Sequence, residues 1–159
     1  MSNFAWDRDS NSLSSNTILN THEDRAGWLW IGAAKELDRY DRENDIWNHY
    51  PLDHIQEILE DSAGVLWVGS MAGLFRCEQG EIDELKRVMS DRTYAIMENS
   101  EGNLWVGTDR GLIVFVFGTG YYQKFASNSS ALYRIGTSAL ILAVVVLIYK
   151  NYLVKTYWR

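Results

Sequence analysis

The sequence has very little cysteine, and it contains no acidic residue from Ala131 to Arg159. Its single cysteine, Cys77, excludes an internal disulfide and is compatible with any cellular compartment. All 21 Asp and Glu precede Ala131, and against 15 Lys and Arg they give a net charge of −6. A nucleic-acid-binding protein would place basic residues on its folded domain. The acidic body therefore argues against nucleic acid as a partner.

The sequence also lacks the motifs that catalysis or metal binding would need. No Ser/His/Asp triad, Cys/His pair or phosphate-binding glycine loop can be assembled, so we expect no catalytic activity. No segment matches the calcium-loop pattern D-x-[DN]-x-[DN]-G. The spacing of His22, His49 and His54 is not that of a zinc motif. We therefore expect neither a metal nor a cofactor.

One short segment is present three times. It reads HEDRAGWLWIG at His22–Gly32, LEDSAGVLWVG at Leu59–Gly69 and MENSEGNLWVG at Met97–Gly107. Its tryptophans recur at intervals of 37 and 38 residues, with a glycine before and a glycine after each of them. These signature residues are Gly27, Trp30, Gly32, Gly64, Trp67, Gly69, Gly102, Trp105 and Gly107.

Each repeat unit has room for four short strands. In the first unit the predicted strands are Thr17–His22, Leu29–Ala33, Leu37–Tyr40 and Ile46–Tyr50. Four strands in about 40 residues are typical of a β-propeller blade, and the lack of a 3.6-residue apolar period excludes helical repeats. The sequence therefore predicts an all-β fold with blades at 17–53, 54–91 and 92–125.

Three blades form an incomplete ring, because propellers close with four to eight. Residues 1–16 are predicted to be the remnant fourth strand of a preceding blade and a loop, with the strand at Phe4–Trp6. We therefore expect a fragment, or a shortened gene product, whose earlier blades and signal peptide are missing. Closure by a second copy of the chain is the alternative.

The C-terminal region predicts a membrane span. Ile135–Tyr149 is uncharged, and with its flanks it gives a helix over 132–154, after a linker at 126–131. A buried core helix is the alternative. More basic residues follow the run than precede it, which predicts a cytoplasmic tail at 155–159 and periplasmic blades. The expected location is the bacterial inner membrane, with a single pass through the lipid bilayer.

Several side chains in the repeats have both a functional and a structural interpretation. The acid pairs Glu23-Asp24 and Glu60-Asp61 resemble paired catalytic carboxylates, but their recurrence at one turn favours structural capping. The repeated tryptophans are expected to pack between blades rather than to stack on sugars. Cys77 is expected to be a small buried apolar residue.

Three residues are candidates for ligand contact. Trp28 and Trp47 lie outside the repeating positions, and His22 falls on a first strand, where it could line a central channel. A partly buried structural histidine is the alternative for His22.

The combined pattern resembles the two-component regulator propeller repeat. It consists of SLSSN at Ser12–Asn16, then ED..G.LW[IV]G, then GL.R, over roughly Phe4–Phe125. Two positions depart from it: Glu36 stands where the other units have glycine, and Val114 where they have arginine.

The resemblance implies large seven-bladed periplasmic propellers, an immunoglobulin-like domain, one membrane helix and a histidine kinase or diguanylate cyclase output. It also implies oligosaccharide ligands. No immunoglobulin-like domain or output domain is found in the sequence. We expect the extracytoplasmic sensory portion and membrane anchor of a two-component-type receptor, which binds a small molecule or an oligosaccharide. The alternative is a membrane-anchored interaction module without signalling output. A homodimer, or further blades from a missing segment, would complete the ring.

Overall fold

The fold consists of β strands throughout the part of the chain that is described. The computed structural model describes residues 11–52, 54–78 and 85–117, and the backbone of two strands beyond them. The strands are β1 Ile18–Glu23, β2 Leu29–Ala33, β3 Leu37–Asp41, β4 Ile46–Tyr50, β5 Ile55–Glu60, β6 Leu66–Ser70, β7 Gly73–Cys77, β8 Lys86–Met89, β9 Thr93–Glu98, β10 Leu104–Thr108, β11 Gly111–Val116, β12 Tyr121–Ala126 and β13 Ser129–Arg134.

The strands form three antiparallel sheets, and each sheet is one blade. The first contains β1–β4 and the second β5–β8, each in sequence order, so every connection within a blade is a hairpin. The third contains β9–β13, also in sequence order. The prediction of all-β, four-stranded propeller-type blades is confirmed for the first two blades, and the third has an additional strand.

This additional strand, β13, lies where the sequence suggested a linker and the start of a helix. It pairs with β12 from Tyr121↔Arg134 to Ala126↔Ser129. Residues 132–134 are therefore in a strand, which pairs the free N–H and C=O groups that β12 would otherwise present as an edge. The rest of the proposed helix, the tail at 155–159 and residues 1–10 lie outside the described residues. Within the described residues, no helix has the length and apolarity to cross a membrane.

The blades stack face to face through two apolar layers. The layer between the first and second blades contains Trp30, Leu37, Leu52, Ile55, Ile58, Leu66, Val68 and Cys77. The layer between the second and third contains Trp67, Leu74, Ile96, Leu104, Val106, Ile113 and Phe115. Trp30 and Trp67 are almost fully buried. Burial of each such side chain contributes about 1.5–3 kcal/mol, so these layers hold the blades together.

Glycines at the ends of β2 and β6 allow the next blade to come close. A Cβ added at Gly32 would lie 2.6 Å from Cγ2 of Ile55, and one at Gly69 would lie 2.7 Å from Cγ2 of Thr93. At the matching Gly107 an added Cβ would meet only Ala95 of its own blade, at 3.7 Å. Glycine is therefore required at positions 32 and 69, because the first strand of the neighbouring blade, β5 or β9, lies too close for a side chain.

Substitution of these glycines tests the stacking. Gly69→Ala is expected to lower the free energy of unfolding by about 1–3 kcal/mol, because the new methyl group overlaps Thr93. Gly107→Ala is the matched control and should stay within about 0.5 kcal/mol. Urea denaturation of both variants measures the difference. Equal losses would contradict the close approach between the second and third blades.

Candidate functional site

An aspartate organises the first turn of each of the first two blades. Oδ1 of Asp24 accepts hydrogen bonds from the backbone N–H groups of Ala26 and Trp28, both at 3.0 Å. Its Oδ2 accepts from the indole Nε1 of Trp30 at 2.8 Å. Each of these acceptor roles is structural, so Asp24 caps the turn.

Asp61 repeats this arrangement in the second blade. Its Oδ1 binds the N–H groups of Ala63 and Val65 at 2.9 Å, and its Oδ2 binds Nε1 of Trp67 at 2.8 Å. Asp61 is only 3% exposed, yet three donors satisfy its carboxylate. This compensates the cost of burying the charge.

Neighbouring blades are connected by Glu60 and Glu98, which directly precede the turns of the second and third blades. Oε2 of Glu60 accepts a 2.8 Å hydrogen bond from the backbone N–H of Arg25 in the first blade. Oε2 of Glu98 accepts one of the same length from the N–H of Ser62, whose hydroxyl donates to the other oxygen. We call these two contacts the inter-blade clasps. Because they bind backbone groups, they fix the position of each turn against the next blade.

The third blade departs from the pattern at its turn. Asn99 replaces the aspartate, and its Oδ1 still accepts from the N–H groups of Glu101 and Asn103, at 3.1 and 2.8 Å. Its other side-chain atom is an amide nitrogen, which donates and so cannot accept from an indole. Nε1 of Trp105 is accordingly buried with no hydrogen-bond partner in the described structure.

This difference gives a reciprocal pair of substitutions. Asn99→Asp is expected to raise the free energy of unfolding by about 1 kcal/mol, since it supplies an acceptor for Trp105. Asp61→Asn should lower it by about 1–3 kcal/mol, because Nε1 of Trp67 loses its acceptor inside the core. Thermal unfolding followed by near-ultraviolet circular dichroism measures both. A destabilising Asn99→Asp would show that the indole of Trp105 is satisfied in another way.

A buried arginine of the first blade lies against three aromatic rings. Arg39 is 7% exposed, and its guanidinium carbon lies 4.1 Å from the ring centre of Trp28. Trp30 and Tyr50 are 5.7 and 6.0 Å away. Nη2 donates to Oδ1 of Asn48 at 3.1 Å. Nε and Nη1 are buried without a partner in the described structure, so this cation is stabilised by aromatic faces and keeps two unused donors.

Two of the three sequence candidates lie with this arginine. The strand register sets His22, Trp30 and Arg39 opposite one another on β1, β2 and β3, and therefore on one face. Nε2 of His22 is also buried without a partner among the described residues. The sequence does not mark Arg39 as a ligand contact, although this arginine recurs as Arg76. Arg76 is more exposed and is paired with Glu78 at 2.8 Å.

Trp47 lies on the opposite face of the blade. It is 9% exposed and stacks on Tyr40 with ring centres 4.5 Å apart, in a cluster with Leu13 and Ile31. The phenol of Tyr40 donates to Oδ1 of Asp45 at 3.0 Å, and this hydrogen bond raises the pKa of Tyr40 above its ordinary value. Trp47 is thus a packing residue in this structure.

The Arg39 cluster has the chemistry of an anion-binding site. A guanidinium presents its donors in a planar fork that matches a carboxylate, and its burial strengthens each hydrogen bond. Trp28 is only half-buried, and it gives the cluster an aromatic surface at its edge.

The repeats and their fold match known proteins. A family model described as two component regulator propeller matches residues 12–35, 49–72 and 88–110. The chain contains three two-component regulator propeller repeats. Its three matches contain the turn, the tryptophan strand and the terminal glycine of each blade. No curated protein sequence matches the chain.

Solved propeller structures share the fold at low sequence identity. The extracellular domain of the hybrid two component system BT3049 from B. thetaiotaomicron is 17% identical over 84% of this chain, with a TM-score of 0.63. The extracellular domain of BT4673 from the same bacterium is 17% identical over 84% of this chain, with a TM-score of 0.56. The propeller described here spans about a quarter of those two chains, 23% and 26% respectively.

Proposed function

We propose that this chain is the ligand-binding, extracytoplasmic part of a two-component-type signal receptor. The observation that carries this proposal is the threefold match to the two-component regulator propeller. The likeness to extracellular domains of B. thetaiotaomicron systems supports an extracytoplasmic location for the blades. The uncharged run at Ile135–Tyr149 supports an anchor in the bacterial inner membrane with the C-terminus inside the cell.

The ligand proposed for this receptor is an oligosaccharide that carries a carboxylate. Sugars stack on tryptophan faces, and Trp28 offers such a face beside the guanidinium of Arg39. One of the unused donors of Arg39 would bind a carboxylate oxygen of an acidic sugar. A neutral sugar would leave this buried cation unpaired, so the acidic ligand is favoured.

Topology is the first test of the receptor proposal. Cys77 is buried between blades, so it is replaced by alanine and a cysteine is placed at the exposed Ser100. An impermeant maleimide should label the Ser100→Cys protein in intact spheroplasts of the producing cell. A cysteine after the hydrophobic run, from Thr156→Cys, should react only after the membrane is opened. Labelling of Ser100→Cys only after lysis would overturn the extracytoplasmic assignment.

Ligand binding is tested by intrinsic tryptophan fluorescence. Oligogalacturonate is expected to change the emission of the full chain, whereas neutral glucose oligomers of equal length should not. Arg39→Met, which keeps most of the side-chain volume, should weaken binding at least about tenfold, as expected for loss of a charge-assisted hydrogen bond. Arg76→Met is the matched control and should bind normally. Equal binding by both variants would exclude the Arg39 cluster as the site.

The interaction-module alternative has one observation in its favour. Met97, Leu112 and Val116 are exposed apolar residues on the face of the third blade that carries Trp105. Such a face suits contact with another protein. The sequence that follows Arg159 in the genome distinguishes the two functions: an in-frame kinase or cyclase domain supports the receptor, and a stop codon followed by an unrelated gene supports the module.

A further inference from the structure

Three polar side chains that differ from the other blades meet at one edge of the first blade. They are Glu36, Asp38 and His49, and their ligand-type atoms all lie within 4.8 Å of one another. Nδ1 of His49 is 2.8 Å from Oδ1 of Asp38 and 3.9 Å from Oε2 of Glu36. The register of β3 against β4 sets Asp38 opposite His49.

The repeat shows what these positions hold when they serve packing alone. Asp38 is fully buried, yet the equivalent residues Phe75 and Ile113 are apolar. Glu36 matches Gly73 and Gly111, and the strand pairing places Arg87 and Lys124 where the first blade has His49. The first blade has therefore replaced a glycine, an apolar residue and a basic residue with three residues that can donate an electron pair. Burial of a carboxylate costs free energy, and binding of a cation would offset that cost.

A second observation comes from the segment that crosses this edge. The backbone N–H of Ser14 donates to Oδ2 of Asp38 at 2.9 Å. The hydroxyl of the same serine is buried with no hydrogen-bond partner in the described structure. A water molecule bound to an ion beside Asp38 would supply that partner. With His49 neutral, the two carboxylates also balance the charge of a divalent cation.

We propose that Glu36, Asp38 and His49 bind a divalent cation of the zinc class. One imidazole nitrogen and two carboxylate oxygens form a set of three protein ligands that zinc accepts, with water in the fourth position. The side chains of Glu36 and His49 are 40% and 25% exposed, so the ion would enter from the solvent between them. Asp38 is fully buried and would bind the ion from the interior of the blade. Bound there, it ties the segment at Ser14 to the β2–β3 hairpin and to β4. This site is independent of the proposed receptor function.

The test uses ZnCl2 with the full chain, first stripped of metal with a chelator. Isothermal titration should give one bound Zn²⁺ per chain, and the melting temperature should rise with Zn²⁺ concentration. His49→Lys introduces the residue of the third blade and places a cation beside Asp38, so it should fold but bind Zn²⁺ at least ~10-fold more weakly. His54→Asn removes an exposed histidine outside the cluster and should bind as the wild type does.

A further variant and a spectroscopic readout make the result decisive. Glu36→Gly, which also restores the repeat residue, should weaken Zn²⁺ binding without loss of the fold. Co²⁺ should give a visible absorption band in the wild type that Asp38→Asn abolishes. No Zn²⁺ binding by the wild type, or equal binding by wild type and His49→Lys, would overturn the proposal. Binding of Ca²⁺ in preference to Zn²⁺ would overturn the assignment to the zinc class.

Discussion

The fold depends on how each blade ties its first turn to its central strand and then to the next blade. In the first two blades one aspartate carboxylate holds two turn N–H groups and the indole of the tryptophan that packs between blades. The backbone of each of these turns also donates a hydrogen bond to a glutamate of the next blade, Glu60 or Glu98, which directly precedes that blade's own turn. Turn, strand and stacking are thus one connected set of hydrogen bonds, and the apolar layers assemble around it.

Departures from the repeat show where the molecule is under a different constraint. Asn99 keeps the turn but loses the indole contact, so the third blade retains its local structure with weaker attachment of Trp105. In the first blade the departures introduce buried polar groups: Arg39 with two unused donors, and Asp38 beside His49. The first kind of departure lowers stability without adding chemistry. The second kind adds groups whose burial is favourable only with a partner.

Much of the fold could be predicted because the repeat is read directly in the chain. The spacing of Trp30, Trp67 and Trp105 marks the central strands, and the turn residues mark the hairpins. The Arg39 cluster could not be derived, because Trp28 and Tyr50 reach it from a turn and from another strand. Likewise the cluster around Asp38 depends on hairpin register and has no linear motif. The sequence does not predict strand β13, because only Arg134 separates its apolar residues from the uncharged run.

The inter-blade clasps have a consequence for cooperativity. Each joins a blade only to its immediate neighbour, so the described blades behave as a short one-dimensional chain of coupled units. The second blade has a neighbour on both sides within the described residues, whereas the first and third each have one. Its central strand, β6, accordingly opens only when two interfaces are broken. Amide hydrogens of Trp67 and Val68 are therefore expected to exchange with solvent through near-global unfolding, and those of the flanking blades through partial opening.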